Sequence, residues 1–264
     1  MSRYFEHIAG LSGKTAVITG ASDGIGVGIA KALAAAGAAV SINFASSKLG
    51  ADRVDAEIKA KGGNAVTIQG DVAKAADVRR IFAETKEAFG RVDILVNNAS
   101  VHDLLSLEEM RDESLHRYFN INVLGVLLAT QEATRLFGAE GGRVVNVNSV
   151  VSDLDPRGSA YYTATKTAID SVTRALAMDL SAKKIRVNSM DVIVQLSGAL
   201  PPKGNAIEFA EDSIVEYVSN SIRLYGISSF LDSGTTNIHL RRPNSMDRLP
   251  FATEGVLSHP LIDC

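Results

Sequence analysis

The sequence predicts an α/β fold: a doubly wound parallel sheet in a single domain. Three observations predict it. Short apolar, β-branched runs alternate with longer amphipathic stretches from residue 14 to residue 190. The short runs are apolar on both faces, as strands are when helices cover a parallel sheet on each side. A glycine-rich turn, Thr19-Gly20-Ala21-Ser22-Asp23-Gly24-Ile25-Gly26, joins the first run to the first helix.

The elements follow in order. Residues 15–19 read as a buried strand. Residues 24–36 are alanine-rich and end at Gly37, a glycine placed to cap a helix. Residues 39–44 form a second strand. Residues 48–61 form an amphipathic helix stopped by Gly62-Gly63. A third strand covers 65–69, and a helix over about 75–89 closes at Gly90. Residues 93–97 are the fourth strand, and one long helical stretch is expected over about 107–137. Residues 142–148, 160–180 and 185–190 read as strand, helix and strand. Repeats and low-complexity segments are absent from the sequence.

The pattern fades near Asp191. Of the six prolines, Pro201, Pro202, Pro243, Pro250 and Pro260 lie beyond residue 200. Residues 212–220 read as a short helix, and 232–264 as irregular chain. The division expected is a catalytic unit over 1–190 and an atypical tail over 191–264 that is no separate domain.

Composition narrows the function. A chain of 264 residues with 46% hydrophobic content can bury one large core. Its formal net charge of -3 gives no reason to expect nucleic acid or an anionic membrane as partner. The single cysteine, Cys264, rules out an internal disulfide and fits a reducing compartment. The first thirteen residues include Arg3, Glu6 and His7 and lack the apolar centre of a signal peptide. No run of eighteen apolar residues occurs, so no membrane span is predicted and a cytoplasmic protein is expected. His7, His102, His116, His239 and His259 are scattered, without carboxylate or thiol at ligand spacing, so no metal site is expected. Glu108, Glu109, Arg111, Asp112 and Glu113 read as the solvated start of a helix.

The glycine turn suits a phosphate. Gly20 permits a tight turn, and Gly26 lets helix and strand approach. Main-chain N–H groups at the helix start, among Ser22, Gly24 and Ile25, can face a pyrophosphate where the helix dipole favours negative charge. The spacing is Gly-x-x-x-Gly-x-Gly, not the commoner Gly-x-Gly-x-x-Gly. After the third strand, Asp71-Val72 fits two readings: an acceptor for an adenine amino group, or a turn aspartate. Asn97-Asn98-Ala99 ends the fourth strand, where open α/β sheets bind ligands. Its amides fit a ligand or a tie between loops. The second strand ends in Ser46-Ser47-Lys48 with no acid to bond a ribose 2′-hydroxyl. Two hydroxyls and a lysine suit a 2′-phosphate, whereas Asp23 opposes one. The balance favours NADP, with NAD possible.

The middle of the chain suits proton transfer. Tyr162 and Lys166 in Tyr-Thr-Ala-Thr-Lys are four apart and share a helix face. A tyrosine of pKa about 10 is a poor base near neutrality. An ammonium about 4 Å away attracts the phenolate by ~4 kcal/mol at an effective dielectric of roughly 20, before desolvation. That attraction is expected to lower the phenol by about two or three pH units. Ser149, at the end of the fifth strand, can hydrogen-bond the same substrate oxygen. Tyr161 is a competing candidate for the exposed phenol.

Together these residues resemble the short-chain dehydrogenase/reductase family, whose fold is of Rossmann type. The resemblance covers roughly residues 11–190. Within the family the chain looks most like 3-oxoacyl reductases, glucose dehydrogenases and related NADP-linked carbonyl reductases. It implies a hydride transfer between NADP and a secondary alcohol or carbonyl. It implies that Lys166 also holds the nicotinamide ribose, and that Asn122 maintains a proton relay through water. Asn120 competes for the relay, although Gly125 fits Asn122 better. Without the family, either asparagine reads as a polar residue making a local bond in a helix. The resemblance also implies a homotetramer.

Three departures stand out. Ser100 replaces the glycine that usually completes Asn-Asn-Ala-Gly. Asp23 stands where many NADP-linked members carry a base. Asp191-Val192-Ile193 replaces the usual Asn-Pro-Gly, and no substrate lid or final strand can be recognised in 194–264. A shifted reading frame or an unrelated exon would produce such a tail. The alternative function is therefore a cofactor-binding but catalytically impaired protein without a normal lid.

Overall fold

The computed structural model describes residues 10–103, 105–149 and 158–192. The expectations for 193–264, including the short helix and the missing lid and last strand, lie outside the described residues.

Six strands form one sheet: β1 (Thr15–Ile18), β2 (Ala39–Phe44), β3 (Asn64–Gln69), β4 (Ile94–Asn97), β5 (Gly142–Ser149) and β6 (Ile185–Val192). Their order is β3-β2-β1-β4-β5-β6, and every neighbouring pair is parallel. The chain builds outward from β1 to β3, then returns to place β4 on the other side of β1. That reversal opens a crevice at the carboxyl ends of β1 and β4.

Helices cover both faces, as the two-sided apolar strands require. On one face, Ile18, Ile42 and Val96 pack with Val27 and Leu33 of α1 (Gly24–Ala35) and Val54 of α2 (Lys48–Ala60). On the other, Val17, Leu95 and Val144 pack with Ile81 and Phe82 of α3 (Ala75–Phe89). Each such burial contributes about 1.5–3 kcal/mol, so the alternation of side chains along each strand fixes which helix covers which face. The three helices expected to end at glycine end there, and Gly90 is left-handed at φ 77°.

The expected single helix over 107–137 is broken. A 3₁₀ turn (Leu107–Glu109) is followed by extended Met110 and Arg111. Then come α4 (Asp112–Phe119), a π-helical turn (Asn120–Leu124) and α5 (Gly125–Leu136). The segment has good helix formers and no internal proline, so local propensity alone reads it as continuous. A local capping box starts the 3₁₀ turn, with Glu109 Oε2 accepting from the Ser106 N–H at 3.0 Å. Further on, the π-turn directs Asn122 into the interior, where tertiary contacts with Val101 and Thr165 hold it.

The last helix, α6 (Ala160–Leu180), has the expected bounds. β6 runs two residues further than expected. Asp191 pairs with Asn148 and Val192 with Ser149, so the strand continues past the first unusual residue.

Candidate active site

The glycine turn is held by its neighbours. Gly20 has φ 63°, and a Cβ there would lie 2.8 Å from Ala99 Cα. A Cβ on Gly26 would lie 2.6 Å from both Asn98 Nδ2 and the Gly20 carbonyl oxygen. Both positions therefore exclude side chains, as the expected close approach requires. Gly24 differs: nothing lies within 4 Å of the place a Cβ would take. Its main chain borders open space at the start of α1, with room for a phosphate to approach. This cradle fits a dinucleotide.

Asn98 is both a loop tie and a rim residue. Its Nδ2 donates to the Thr19 and Gly20 carbonyls at 2.9 and 2.8 Å, and Thr19 Oγ1 accepts from the Asn98 and Ala99 N–H groups at 3.0 Å each. Asn97 is a tie alone, donating to Asn146 Oδ1 at 2.8 Å and Thr130 Oγ1 at 3.3 Å. Ser22 is buried, and its carbonyl is where a Cβ on Gly50 would strike, so α2 docks closely on the turn. Asp23 is exposed and makes no capping bond.

Ser46, Ser47 and Lys48 lie at the end of β2, beside the crevice. Ser46 and Lys48 are exposed, and the Lys48 ammonium meets Asp52 at 2.5 Å. Asp71 makes the turn bond: its Oδ1 accepts from the Ala73 N–H at 3.0 Å, and Lys74 lies 3.6 Å from Oδ2. Val72 is buried, with its side chain where a Cβ on Gly125 would strike, so only its main chain is available to a nucleotide.

Tyr162 and Lys166 do share a face of α6. The Lys166 ammonium stands 5.4 Å from the centre of the Tyr162 ring and donates to the Val147 carbonyl at 2.9 Å. Lys166 is buried, and that burial pulls its pKa down to about 8, while Asp191 and Asp170 pull it back up. Tyr161 is turned aside: its hydroxyl donates to the Arg111 carbonyl at 3.3 Å and its ring meets Tyr118 edge-on. Tyr162, not Tyr161, therefore faces the site.

One expectation is corrected. The Tyr162 phenol is raised above its ordinary value, not lowered by two or three pH units. Burial raises it, and the Ser149 and Ser100 hydroxyls pull it part of the way back. The ammonium lies 5.4 Å from the ring centre and is not among the causes that move the phenol, whereas desolvation acts on both groups.

Asn122 is distinguished from Asn120 by burial: Asn120 is exposed, and Asn122 is buried. Asn122 Oδ1 accepts from the Val101 N–H at 2.8 Å, and its Nδ2 donates to the Val101 carbonyl and Thr165 Oγ1 at 3.0 Å each. It thus joins the loop after β4 to α6, one residue from Lys166.

Several residues at the site escaped sequence reasoning. Asn43 is 1% exposed and accepts from the Gly20 N–H at 3.3 Å while donating to the Ile68 and Gly70 carbonyls at 3.2 and 3.0 Å. It anchors the phosphate turn from β2. A buried asparagine inside the apolar run Ala-Val-Ser-Ile-Asn-Phe was the available signal. Thr19 and Thr165 are known only from their contacts. His102 stacks obliquely on Tyr162 at 6.1 Å, a contact that no spacing foretells.

A parallel sheet with a glycine turn at its switch point, and a tyrosine–lysine pair beside it, defines a nucleotide-binding oxidoreductase. The short chain dehydrogenase pattern matches residues 14–195, and the chain belongs to that family. An uncharacterized oxidoreductase of Methylorubrum extorquens is 50% identical over 178 residues, which is 67% of this chain and 71% of that one. A 3-oxoacyl-[acyl-carrier-protein] reductase of Synechocystis is 37% identical, over 68% of this chain and 73% of the relative. A short chain dehydrogenase of Burkholderia cenocepacia, solved with NADP, is 41% identical. It superposes with a TM-score of 0.66 over 69% of this chain and 74% of its own. Among the described residues, no helix is long and apolar enough to cross a membrane, and no cluster of metal-ligating side chains occurs.

Proposed function

We propose that this oxidoreductase transfers a hydride between NADP and a secondary alcohol or carbonyl compound. The observation that carries the proposal is the buried Lys166 ammonium over the Tyr162 ring, at the end of the sheet that holds the glycine turn. When bound, the nicotinamide dinucleotide supplies or accepts the hydride at carbon. Gly20, Gly24 and Gly26 would hold its phosphates, with Ser22, Ile25, Asp71, Val72, Asn98 and Ala99 around it. Lys166 would bond its ribose, as the family resemblance implies.

In reduction, the Tyr162 O–H donates its proton to the substrate oxygen. Ser149 donates a hydrogen bond to the same oxygen and orients it. Lys166 favours the negative charge that Tyr162 acquires. Asn122, buried beside Thr165 and Lys166, supports resupply of the proton through water. A phenol raised by burial remains protonated at neutral pH, which suits an acid in the reducing direction.

The choice of NADP rests on Ser46, Ser47 and Lys48 and on the absence of an acid at the end of β2. The NADP complex of the Burkholderia relative agrees with it. Self-association, with a tetramer as the family resemblance implies, is supported by partly exposed Phe119, Leu124 and Leu127 along one helical stretch. The catalytic unit is 1–190, with 191–264 as a tail of the same domain, and the protein is cytoplasmic.

The test is NADPH and NADH oxidation with a panel of ketones, for wild type and Tyr162→Phe. Loss of the proton donor should reduce turnover by about 10²–10⁴-fold, while dinucleotide affinity stays unchanged. Dinucleotide binding without turnover in the wild type would instead support the alternative, a binding protein without catalysis.

A further inference from the structure

Tyr162, Lys166, Asp170 and Thr173 follow one another along α6 at spacings of four, four and three, so they share one face of the helix. The face is polar although it lies against the sheet. Lys166 and Thr173 are buried, and so are Asn146 and Asn148 of β5. Three successive residues of the strand bind three of the four. Asn146 Nδ2 donates to Thr173 Oγ1 at 2.8 Å, the Val147 carbonyl accepts from the Lys166 ammonium at 2.9 Å, and Asn148 Nδ2 donates to Asp170 Oδ1 at 2.8 Å. Asp170 Oδ1 also accepts from the Ser189 hydroxyl of β6 at 3.5 Å.

A seam of this kind does more than hold the helix down. Apolar side chains would do that as well, but apolar contact is non-directional. Hydrogen bonds have narrow limits of distance and angle, and a buried polar group left unpaired is costly, so the seam admits one register between helix and strand. The register matters because the residues proposed to act on the substrate lie on its two sides. Ser149 follows Asn148 directly on β5, and Tyr162 stands about two turns from Asp170 on α6. A slide of helix against strand changes the distance between the phenol and the Ser149 hydroxyl. A misplacement of about 1 Å can cost on the order of 10²-fold in rate.

We propose that Asp170 is a positioning residue of the active site: by binding Asn148 and Ser189 its carboxylate fixes α6 against β5 and β6, and so sets Tyr162 and Lys166 at working distance from Ser149. The inference rests on the reading of Tyr162, Lys166 and Ser149 as the residues that serve hydride and proton transfer. Asp170 acts through these three and not on the substrate.

The experiment is carbonyl reduction by the full chain with NADPH, at slightly acid pH so that Lys166 carries its charge. kcat is counted per dinucleotide-binding site, so that unfolded protein does not enter. Asp170→Ala removes the acceptor. Its kcat should fall by about 10–100-fold, with the KM for the ketone nearly unchanged. Asp170→Asn, whose amide oxygen can still accept from Asn148 Nδ2, should recover most of the loss. The exchange of Asn148→Asp with Asp170→Asn, which reverses donor and acceptor, should do the same. Should Asp170→Ala not fold, Asn148→Ala removes the same bond from the other side, and the same fall is expected. A lowered Tm with wild-type kcat per site overturns the inference, because Asp170 then serves stability alone. A fall that Asp170→Asn leaves uncorrected also overturns it, because the charge and not the bond is then at work. A wild type that binds NADPH but reduces no ketone sinks the oxidoreductase reading itself, whereas a reductase indifferent to Asp170 sinks only the positioning role.

Discussion

Lys166 serves two partners at once: its ammonium donates to the Val147 carbonyl at 2.9 Å and stands 5.4 Å from the centre of the Tyr162 ring. The carbonyl fixes where the charge sits, and the Tyr162 ring lies within its field. A buried cation of this kind is sensitive to pH in a range where an exposed lysine is not.

The first prediction follows from that sensitivity. Lys166 has a pKa of about 8, below the ordinary lysine value, so its charge is present at neutral pH and is lost as pH rises through that point. In the proposed step, where Tyr162 gives up its proton, that charge would favour the phenolate. kcat/KM for carbonyl reduction should therefore decline above pH 8. A profile that stays level from neutrality to pH 10 would show that the ammonium contributes nothing to the step.

Gly26→Ala tests the close approach of turn and strand. The added carbon would lie 2.6 Å from Asn98 Nδ2 and 2.6 Å from the Gly20 carbonyl, both parts of the turn's own scaffold. Overpacking of this sort costs about 1–3 kcal/mol, and here the displaced atoms belong to the phosphate site. Chemical denaturation should show the lost stability, and dinucleotide titration should show affinity weakened by about tenfold or more. Gly138→Ala, which meets nothing within 4 Å, serves as the control and should leave both unchanged. Equal behaviour of the two variants would refute the packing argument.

Asn43→Ala addresses the anchor that lies outside the turn. It leaves the Gly20 N–H and the Ile68 and Gly70 carbonyls without their side-chain partner. Stability should fall by about 1–3 kcal/mol, the cost of buried groups left unpaired. Dinucleotide affinity should fall as well, because Gly20 begins the turn. Loss of stability with unaltered affinity would confine Asn43 to a structural role.

Lys48→Ala addresses the cofactor. Lys48 is exposed and, among the described residues, is paired across a surface contact with Asp52, so unfolding should be close to wild type. The ratio of kcat/KM for NADPH to that for NADH should fall several-fold, about the effect of one lost charge-assisted bond. Asp23→Arg should raise the same ratio. If neither variant moves it, the 2′-phosphate is not bound at the end of β2.

Much of the architecture was legible because its signals are local. Strand and helix periods, apolar strands and glycine stops placed six strands and their helices to within a residue or two at most boundaries. The break between Leu107 and Leu136 was not legible. Residues 107–124 satisfy helical propensity throughout, and the contacts that hold Asn122 of the π-turn, to Val101 and Thr165, are long-range.

For the site, spacing put Tyr162 and Lys166 on one helical face, and family order singled out Ser149 and the glycine turn. Spacing does not state which of two adjacent tyrosines faces inward; Arg111 and Tyr118 hold Tyr161 away. Nor does it state the sign of the phenol's shift. Coulomb attraction is legible from two residue names, whereas desolvation depends on everything packed around them, and in this fold desolvation wins.

The amino-acid order by itself determined a parallel, doubly covered sheet, a glycine turn at its switch point and a tyrosine–lysine pair, because each depends on neighbours a few residues apart. Tertiary structure alone decided that Asn43, Thr19 and Asn98 clamp the turn, and that His102 meets Tyr162. These contacts join residues 23 to 79 positions apart, depending on how strands and loops stack, and no local period encodes that distance.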